Sequence, residues 1–376
     1  MLFLFVNWNI NCLIIFMRYL FFLICSLFTL LSFSQDVFPF TTNLGFFKSF
    51  ENGYEKQLDF LAPTEVKFSE KLIVYKDHKR DLFVYNKEHG KVFLANTATK
   101  YEIGFNHVAW SVGPILSMWV NGKRKHLTNF GRDFIVSDSL VVYVDRRDNA
   151  LRAYYNDSIY DVFYGLNDIS LPKKLGVNTF GFEGLGGVNY IFDKGKITEI
   201  GVALTPIDYE SGTGFSAFND PDHQTFALYE KGRIMDLETM RVPEYKATNE
   251  FVIYLDNNGN LMHYKDGSIK KLSNYSPDTY TANDNIVVWT EAGLFFLYDG
   301  NKIYEIGNFI PEDYKLTNEI LAYRNVLGGV SAFYKGKETK ITNIFQAPFE
   351  VNGNTVKIEV SAGNYIFWKD GKEWEF

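Results

Sequence analysis

The sequence predicts an all-β fold built from about ten copies of a unit about 35 residues long. Two observations carry that prediction. A short phrase recurs, made of an aromatic residue, a few polar residues with Gly or Asn, a Lys and a closing aliphatic residue, and its copies lie 34 to 37 residues apart. Short runs of β-branched and aromatic residues alternate with turn residues, and no segment after residue 34 has a helical period. The aromatic anchors of the phrase are Phe50, Tyr85, Trp119, Tyr155, Phe192, Tyr229, Tyr264, Tyr298, Tyr334 and Trp368.

The clearest unit, residues 283–317, shows how each element is predicted. Residues 286–290, 294–298 and 302–306 are β-branched and aromatic runs, which favour strands. Asp299-Gly300 joins the last two runs, and this dipeptide is a strong hairpin signal because both central residues of the turn need a positive φ. Residues 314–317 are predicted as a short fourth strand that leads into the next unit.

Three or four antiparallel strands in about 35 residues resemble the blade of a β-propeller, in which small sheets pack face to face around an axis. The resemblance covers residues 44–376. It is one of fold only, because the chain lacks the Gly-His and Trp-Asp marks of WD40 repeats and the double glycine of kelch repeats. It therefore implies no functional residue.

Ten units exceed the usual range of about four to eight blades, so several arrangements are open from the sequence. One is a single wide ring, and another is two smaller propellers that share the chain. A third has nine full units and a partial first unit around Phe50, which has no obvious inner strand. An extended β-solenoid is the alternative architecture. The Asp-Gly and Asn-Gly turns favour the propeller, because they join antiparallel strands.

Residues 1–34 stand outside the repeat and are predicted to be a secretory signal peptide. Arg18 supplies a positive start, residues 19–33 are apolar apart from three hydroxyl residues, and small residues stand at positions 32 and 34. Met17 is the expected start, because a signal that begins Met-Arg is complete without the residues before it. A membrane anchor is the alternative, and the short apolar stretch disfavours it. The prediction is a protein cleaved after Ser34, periplasmic or secreted, with no membrane insertion after cleavage.

Composition narrows the expected partners. Both cysteines, Cys12 and Cys25, lie in the predicted signal, so the mature chain is expected to hold no disulfide. Removing residues 1–34 changes the net charge from −7 to −8, because they contain one arginine and no acidic residue. The charges are interspersed and form no basic stripe for phosphates, so no nucleic-acid partner is expected.

Two central stretches break the repeat and are the predicted binding loops. Residues 176–187 are rich in glycine, and residues 201–222 end in a polar cluster. Insertions in a repeat protein map to loops on one face, which is often the binding face. Asp220, Asp222 and His223 are therefore the candidate binding residues, since two carboxylates and an imidazole meet at one hairpin tip. The same residues also suit an ordinary polar turn.

No cofactor and no metal site is predicted. Asp256 begins a segment like a calcium loop, but Leu261 stands where that loop needs Gly, and Gly267 stands where it needs Glu. The glycines of residues 181–187 lack nucleotide-binding spacing, and the six histidines lack zinc spacing. The chain also has no nucleophile-elbow motif.

The sequence therefore predicts an exported, non-catalytic repeat protein that binds a protein or glycan partner through loops of one face. The alternative is a hydrolase or lyase that acts on polysaccharide, with an acidic site at the mouth of the propeller. A single sequence does not show whether carboxylates from different units meet. Catalytic activity is therefore an open question at this point, and a non-catalytic role is the favoured interpretation.

In material from the native host, we expect the mature protein to begin at Gln35, because small residues precede it at the predicted cleavage site. N-terminal sequencing together with the intact mass measures this directly. A protein that still carries Met1 or Met17 would contradict the signal-peptide prediction.

Overall fold

The structure, a computed structural model, describes residues 36–166 and 169–376, which form ten small antiparallel β-sheets. The predicted signal peptide, residues 1–34, lies outside the described residues. Within the described ranges, the only helical element is a 3₁₀ turn, Leu185–Gly187. The strands of each sheet follow chain order, so each sheet is a meander whose neighbouring strands are joined directly.

The strands of the first five sheets, which we number as blades 1 to 5, have the following bounds. Blade 1 contains β1 (Phe38–Thr41), β2 (Phe47–Glu51) and β3 (Tyr54–Asp59); blade 2 contains β4 (Glu65–Phe68), β5 (Ile73–Lys76), β6 (Leu82–Asn86) and β7 (Gly90–Ala95); blade 3 contains β8 (Lys100–Ile103), β9 (His107–Val112), β10 (Ile115–Val120) and β11 (Lys123–Thr128); blade 4 contains β12 (Gly131–Val136), β13 (Leu140–Asp145), β14 (Ala150–Tyr155) and β15 (Ser158–Tyr164); blade 5 contains β16 (Thr179–Glu183), β17 (Val188–Asp193) and β18 (Lys196–Val202).

Blades 6 to 10 follow in the same order. Blade 6 contains β19 (Glu210–Ser211), β20 (Phe215–Asn219), β21 (Phe226–Glu230) and β22 (Arg233–Glu238); blade 7 contains β23 (Glu244–Ala247), β24 (Val252–Leu255), β25 (Leu261–Lys265) and β26 (Ser268–Lys271); blade 8 contains β27 (Thr279–Asn283), β28 (Ile286–Glu291), β29 (Leu294–Tyr298) and β30 (Ile303–Gly307); blade 9 contains β31 (Tyr314–Leu316), β32 (Ile320–Arg324), β33 (Val330–Tyr334) and β34 (Lys337–Thr342); blade 10 contains β35 (Phe349–Asn352), β36 (Thr355–Ser361), β37 (Asn364–Lys369) and β38 (Lys372–Glu375).

The sheets close into one ring, because every blade packs on both of its neighbours. Each of ten clusters of buried apolar side chains draws its members from two adjacent blades. The cluster that joins blade 10 to blade 1 stacks the Phe367 ring on the Phe50 ring, with centroids 4.4 Å apart. Beside it, Lys369 Nζ lies 2.8 Å from Asp36 Oδ2. The fold is therefore a single ten-bladed propeller, which confirms the predicted class and leaves no need for the solenoid or two-ring alternatives.

Two blades are smaller than the rest in the described part of the chain. Blades 1 and 5 have three strands, and the other eight have four. The sequence predicts that the first unit lacks an inner strand, but it does not predict the same absence in blade 5. The short strand predicted at 314–317 is present as β31, and it pairs with β32, so it opens blade 9.

The repeated aromatic anchors are structural, as their period predicts. Each lies near the end of the strand that precedes the outermost strand of its blade, and all except Tyr155 and Tyr334 are buried. The hydroxyl of Tyr264, for example, donates to Glu230 Oε2 of the preceding blade at 3.1 Å. The Tyr264 ring thus combines apolar burial with a polar contact between blades, whereas Phe50 and Phe192 contribute apolar burial alone.

The meander gives the ring two distinct faces. Because strands alternate in direction, the turns from first to second and from third to fourth strand emerge on one face, which we call the turn face. The turns from second to third strand and the connections between blades emerge on the other, the connection face. The turn face contains residues 36, 52–53, 69–72, 87–89, 104–106, 121–122, 137–139, 156–157, 176–178, 194–195, 212–214, 231–232, 248–251, 266–267, 284–285, 299–302, 317–319, 335–336, 353–354 and 370–371. The connection face contains residues 42–46, 60–64, 77–81, 96–99, 113–114, 129–130, 146–149, 165–166, 184–187, 203–209, 220–225, 239–243, 256–260, 272–278, 292–293, 308–313, 325–329, 343–348 and 362–363.

Replacing a buried anchor should destabilise the ring. Tyr264→Ala is expected to lower the free energy of unfolding by about 3 kcal/mol, because it removes a buried ring and leaves a cavity. Tyr275→Ala is the matched control, since Tyr275 is 68% exposed whereas Tyr264 is 5% exposed. The control should change stability by no more than about 0.5 kcal/mol. Urea unfolding followed by tryptophan fluorescence compares the two, and equal shifts would contradict the structural role of the anchor.

Candidate functional site

Carboxylates from several blades converge near the axis on the turn face. Four of them stand in or beside the turn from the first to the second strand of their blade, one stands just before β1, and closing the ring brings them together. The group, which we call the acidic mouth, consists of Asp36, Glu70, Asp138, Asp284 and Glu319. These residues belong to blades 1, 2, 4, 8 and 9, which are far apart in the chain.

Two amides connect the carboxylates of the acidic mouth. Asn249 Nδ2 donates to Asp138 Oδ2 at 2.8 Å and to Asp284 Oδ2 at 3.1 Å, which links blade 7 to blades 4 and 8. Asn318 Nδ2 donates to Asp284 Oδ2 at 3.0 Å, and its Oδ1 accepts from the backbone N–H of Asp284 at 3.0 Å. Neutral amide donors satisfy these partly buried carboxylate oxygens without cancelling their charge.

The electrostatics of the acidic mouth favour partial protonation. Burial, followed by repulsion from Asp36, Glu319, Asp138 and Asp284, raises the pKa of Glu70 to about 7. Burial also raises the pKa of Asp138, although the hydrogen bond from Asn249 opposes that shift. Like charges close together disfavour simultaneous ionisation. The mouth therefore holds both protons and negative charge near neutral pH.

A cavity of about 470 Å³ opens beside the acidic mouth, between blades 3 and 4. Its wall includes the carboxylates of Asp138 and Asp284 and the rings of Phe105, Tyr154 and His107. His107 is 3% exposed, and its Nε2 has no hydrogen-bond partner among the described residues. Burial lowers the pKa of His107 to about 4, although a hydrogen bond with the backbone of Leu140 opposes the shift. The ring is therefore neutral at physiological pH.

The sequence indicated an acidic site at the propeller mouth only as an alternative and identified none of its residues, although a signal for them was present. The second residue of each first-to-second turn recurs 33 to 39 residues apart, in a phase different from that of the aromatic anchors. That second series is Glu70, Phe105, Asp138, Val177, Thr213, Asn249, Asp284, Asn318 and Gly353. Six of these nine residues are polar, and the inner turn that carries them is the part of each blade nearest to the axis.

The predicted binding residues lie on the opposite face. Asp220, Asp222 and His223 form the turn between β20 and β21 of blade 6, on the connection face. Asp220 Oδ1 accepts from the backbone N–H groups of Asp222 and His223, at 2.7 and 3.1 Å, and its Oδ2 lies 3.0 Å from His223 Nδ1. That hydrogen bond to Asp220 raises the pKa of the exposed His223 ring. The three residues are thus together, their binding role stays a prediction, and the Asp220 carboxylate is occupied within the turn.

Each of the two central stretches, residues 176–187 and 201–222, spans both faces, contrary to the expectation that their loops lie on one face. Residues 212–214 lie on the turn face, whereas residues 220–223 lie on the connection face. The buried strand β20 (Phe215–Asn219) runs between them. Segment 256–260 is also an ordinary turn, in which Asp256 Oδ1 accepts from the backbone N–H groups of Asn258 and Asn260, each at 2.8 Å. Among the described residues, no group of three His, Asp or Glu side chains is placed to hold a metal ion.

The connection face carries the most exposed apolar side chains. Leu204 is 101% exposed, and comparable residues recur in successive connections around the ring. Those in connections between blades are Phe60, Leu61, Phe130, Leu166, Leu204, Met240, Tyr275, Ile310, Ile344 and Phe345, and those in turns between second and third strands include Leu44, Leu185, Val326 and Leu327. An exposed apolar set of this extent on one face is typical of an interaction surface.

A closed ring of antiparallel blades with a polar turn face defines an all-β propeller. The model of the 10-bladed beta propeller domain family matches residues 31–374, and the chain belongs to this family. None of the curated proteins compared with the chain matches it. Within residues 36–166 and 169–376, no helix has the length and apolar character needed to cross a membrane.

Several solved structures are similar to the chain at low identity. The computationally designed protein Ika8 is 13% identical, with 73% of this chain and 95% of that chain covered and a TM-score of 0.35. Hsv2 of Kluyveromyces lactis is 9% identical, with 72% and 92% covered and a TM-score of 0.32. PorZ of Porphyromonas gingivalis, a surface component of its type-IX secretion system, is 11% identical, with 92% and 59% covered and a TM-score of 0.28. These similarities carry no argument about function.

The pKa of Glu70 gives the acidic mouth a measurable pH dependence. From its ordinary value of 4.5 up to about 7, folded Glu70 holds a proton that the unfolded chain has released. Wild-type stability therefore falls as pH rises through this window. Glu70→Gln removes the titration, so the variant should gain on the order of 1 kcal/mol over wild type between those pH values, after solvent screening.

Urea unfolding at several pH values measures that difference. Glu305→Gln, at an exposed position on the outermost strand of blade 8, is the matched control. The same pH series on this variant gives the baseline for the comparison. If the difference in free energy of unfolding between Glu70→Gln and wild type does not change with pH, the carboxylates of the acidic mouth do not interact.

Proposed function

We propose that this protein is an exported, non-catalytic propeller that binds a protein partner through its connection face. The observation that carries the proposal is the set of exposed apolar side chains in successive connections between blades. Burying such side chains against a partner gains about 25 cal/mol per Å² of apolar surface, and water solvates them poorly until then. The polar turn face offers no comparable driving force for a large protein interface.

The charges on the same face favour a protein over a lipid surface. Exposed acidic residues stand among the apolar side chains of blades 6 to 9, including Asp222, Asp278 and Glu312. Anionic lipid headgroups would be repelled there, whereas a protein can place basic side chains opposite them. The predicted binding residues of the 220–223 turn lie on this face, so they belong to the proposed binding surface.

A photo-crosslinking residue at Leu204 should give one discrete adduct in the native host. The same residue at Ile234, on the outermost strand of blade 6, is the control, because Ile234 is also exposed, at 43%, but lies outside the connection face. Only the Leu204 position should react with a protein partner, and mass spectrometry should identify the same species at Leu327.

Three outcomes would contradict this proposal. Equal labelling at Leu204 and Ile234 would indicate random contact rather than a docking face. Labelled lipid would indicate a membrane surface, and an adduct of twice the chain mass would indicate a second copy of this protein instead of a different partner.

A second function, polysaccharide hydrolysis at the acidic mouth, has one geometric observation in its favour. Asp138 Oδ2 and Asp284 Oδ2 both contact the same Asn249 nitrogen, at 2.8 and 3.1 Å. The two oxygens are therefore no more than about 6 Å apart, and retaining glycosidases place their two carboxyl groups about 5–5.5 Å apart. Glu70 would be available as a proton donor, because its pKa is raised to about 7.

The two functions give opposite expectations in one assay. We expect the purified mature protein to release no reducing ends from a panel of polysaccharides, because amides already occupy the Asp284 carboxylate. Activity that is lost in Asp138→Asn and Asp284→Asn, and kept in Glu305→Gln, would establish the hydrolase instead.

A further inference from the structure

We propose that the cavity beside the acidic mouth binds a small organic ammonium ion, a primary amine on an apolar stem. This site is on the turn face and is independent of the partner surface proposed above. Its volume, about 470 Å³, is within the range of about 300–1,000 Å³ typical of small-molecule sites.

The cavity presents hydrogen-bond acceptors that lack donors. His107 Nε2 is buried without a hydrogen-bond partner in the described part of the chain. Asp138 accepts a hydrogen bond on Oδ2, from Asn249, and none on Oδ1 from any described residue. A buried polar atom without a partner is costly, which applies to His107 Nε2, whereas Asp138 is only half-buried. Both residues line the cavity and suit a ligand that brings N–H donors. The neutral state of His107 leaves a ring nitrogen able to accept.

The acidic mouth is only partly balanced by cations: Lys335 and Lys369 act electrostatically on Glu319, and Lys369 pairs with Asp36. Glu70, Asp138, Asp284 and Glu319 form no ion pair with any described residue, whereas Asp36 is paired with Lys369. Lys71 is nearby, with its Nζ 4.7 Å from the centre of the Phe105 ring, but it pairs with none of these carboxylates. A bound positive charge would relieve the mutual repulsion of the carboxylates.

Two features favour an organic cation over a metal ion. No three His, Asp or Glu side chains in the described residues are arranged to ligate a metal. The acceptor atoms belong to separate residues, His107 and Asp138, which suits the three diverging N–H bonds of an ammonium group. The remaining wall is mixed, with apolar side chains such as Met118, Val120 and Val177 and polar ones such as Asn106, Asn121 and Asn156. Its apolar members fit a carbon stem, whereas Lys71 and Lys125 already lie over the rings of Phe105 and Tyr154.

Isothermal titration with cadaverine tests the site, with the diol of the same chain length as the neutral control. We expect cadaverine to bind to the mature protein and the diol not to bind. Asp138→Asn should weaken cadaverine binding by about tenfold or more, the loss of one charge-assisted hydrogen bond. Glu305→Gln, which makes the same charge change far from the cavity, should leave the affinity unchanged. Cadaverine should also shift the nitrogen NMR signal of His107 Nε2, a readout that does not depend on a variant.

A second titration identifies the source of the amine. Nα-acetyl-lysine amide presents the same group as a protein side chain would, and stronger binding of this probe than of cadaverine would indicate a lysine of a partner. Equal binding of cadaverine and the diol would overturn the assignment. So would equal losses in Asp138→Asn and Glu305→Gln, an unmoved His107 signal, or displacement of cadaverine by stoichiometric Ca²⁺.

Discussion

Packing of each blade on both neighbours is the constraint on which the rest of this molecule depends. A single four-stranded sheet has two large faces and cannot bury both alone, so each interface needs the next blade. Closure at Phe50 and Phe367 removes the last unpaired sheet face, and the buried Lys369–Asp36 pair fixes the register of the first blade on the last. Since every inner turn is then held close to the axis, the chemistry of both faces follows from ring closure.

The two faces differ because different parts of the repeat reach them. The turn face is polar, since tight hairpins need Asn, Asp and Gly at positions with positive φ, as at Asn121 and Gly122. The connection face receives the longer segments between blades, where an exposed apolar residue often stands shortly before a proline. Examples are Leu204 before Pro206 and Ile310 before Pro311. Proline has no N–H to satisfy and restricts φ, so these segments hold apolar side chains outward at little entropic cost.

Repetition also explains the acidic mouth. The inner turn recurs in most blades, and ring closure brings the acidic residues that several of these turns carry close to the axis. The amides of Asn249 and Asn318 supply hydrogen bonds between these carboxylates but no positive charge. As a consequence, the pKa of the partly buried Glu70 is raised, and the site around His107 has more hydrogen-bond acceptors than donors. Such an arrangement costs stability, and unfavourable charge clusters of this kind are common at binding and catalytic sites.

Local sequence patterns determined the strands, the hairpins and the length of the repeat unit, because each depends on residues that are close in the chain. The Asp299-Gly300 turn and the flanking runs of blade 8, for instance, were predicted within a residue or two of their observed bounds. The buried anchors were also predictable, since their period matches the blade. The candidate residues Asp220, Asp222 and His223 were predicted to be together, and they are, in one turn. Only the tertiary structure decided that the ring closes once, that this turn faces away from the acidic mouth, and that Asp138 meets Asn249. Those contacts join residues more than a hundred positions apart, and the closure of ten interfaces, which no local pattern encodes, sets their distances.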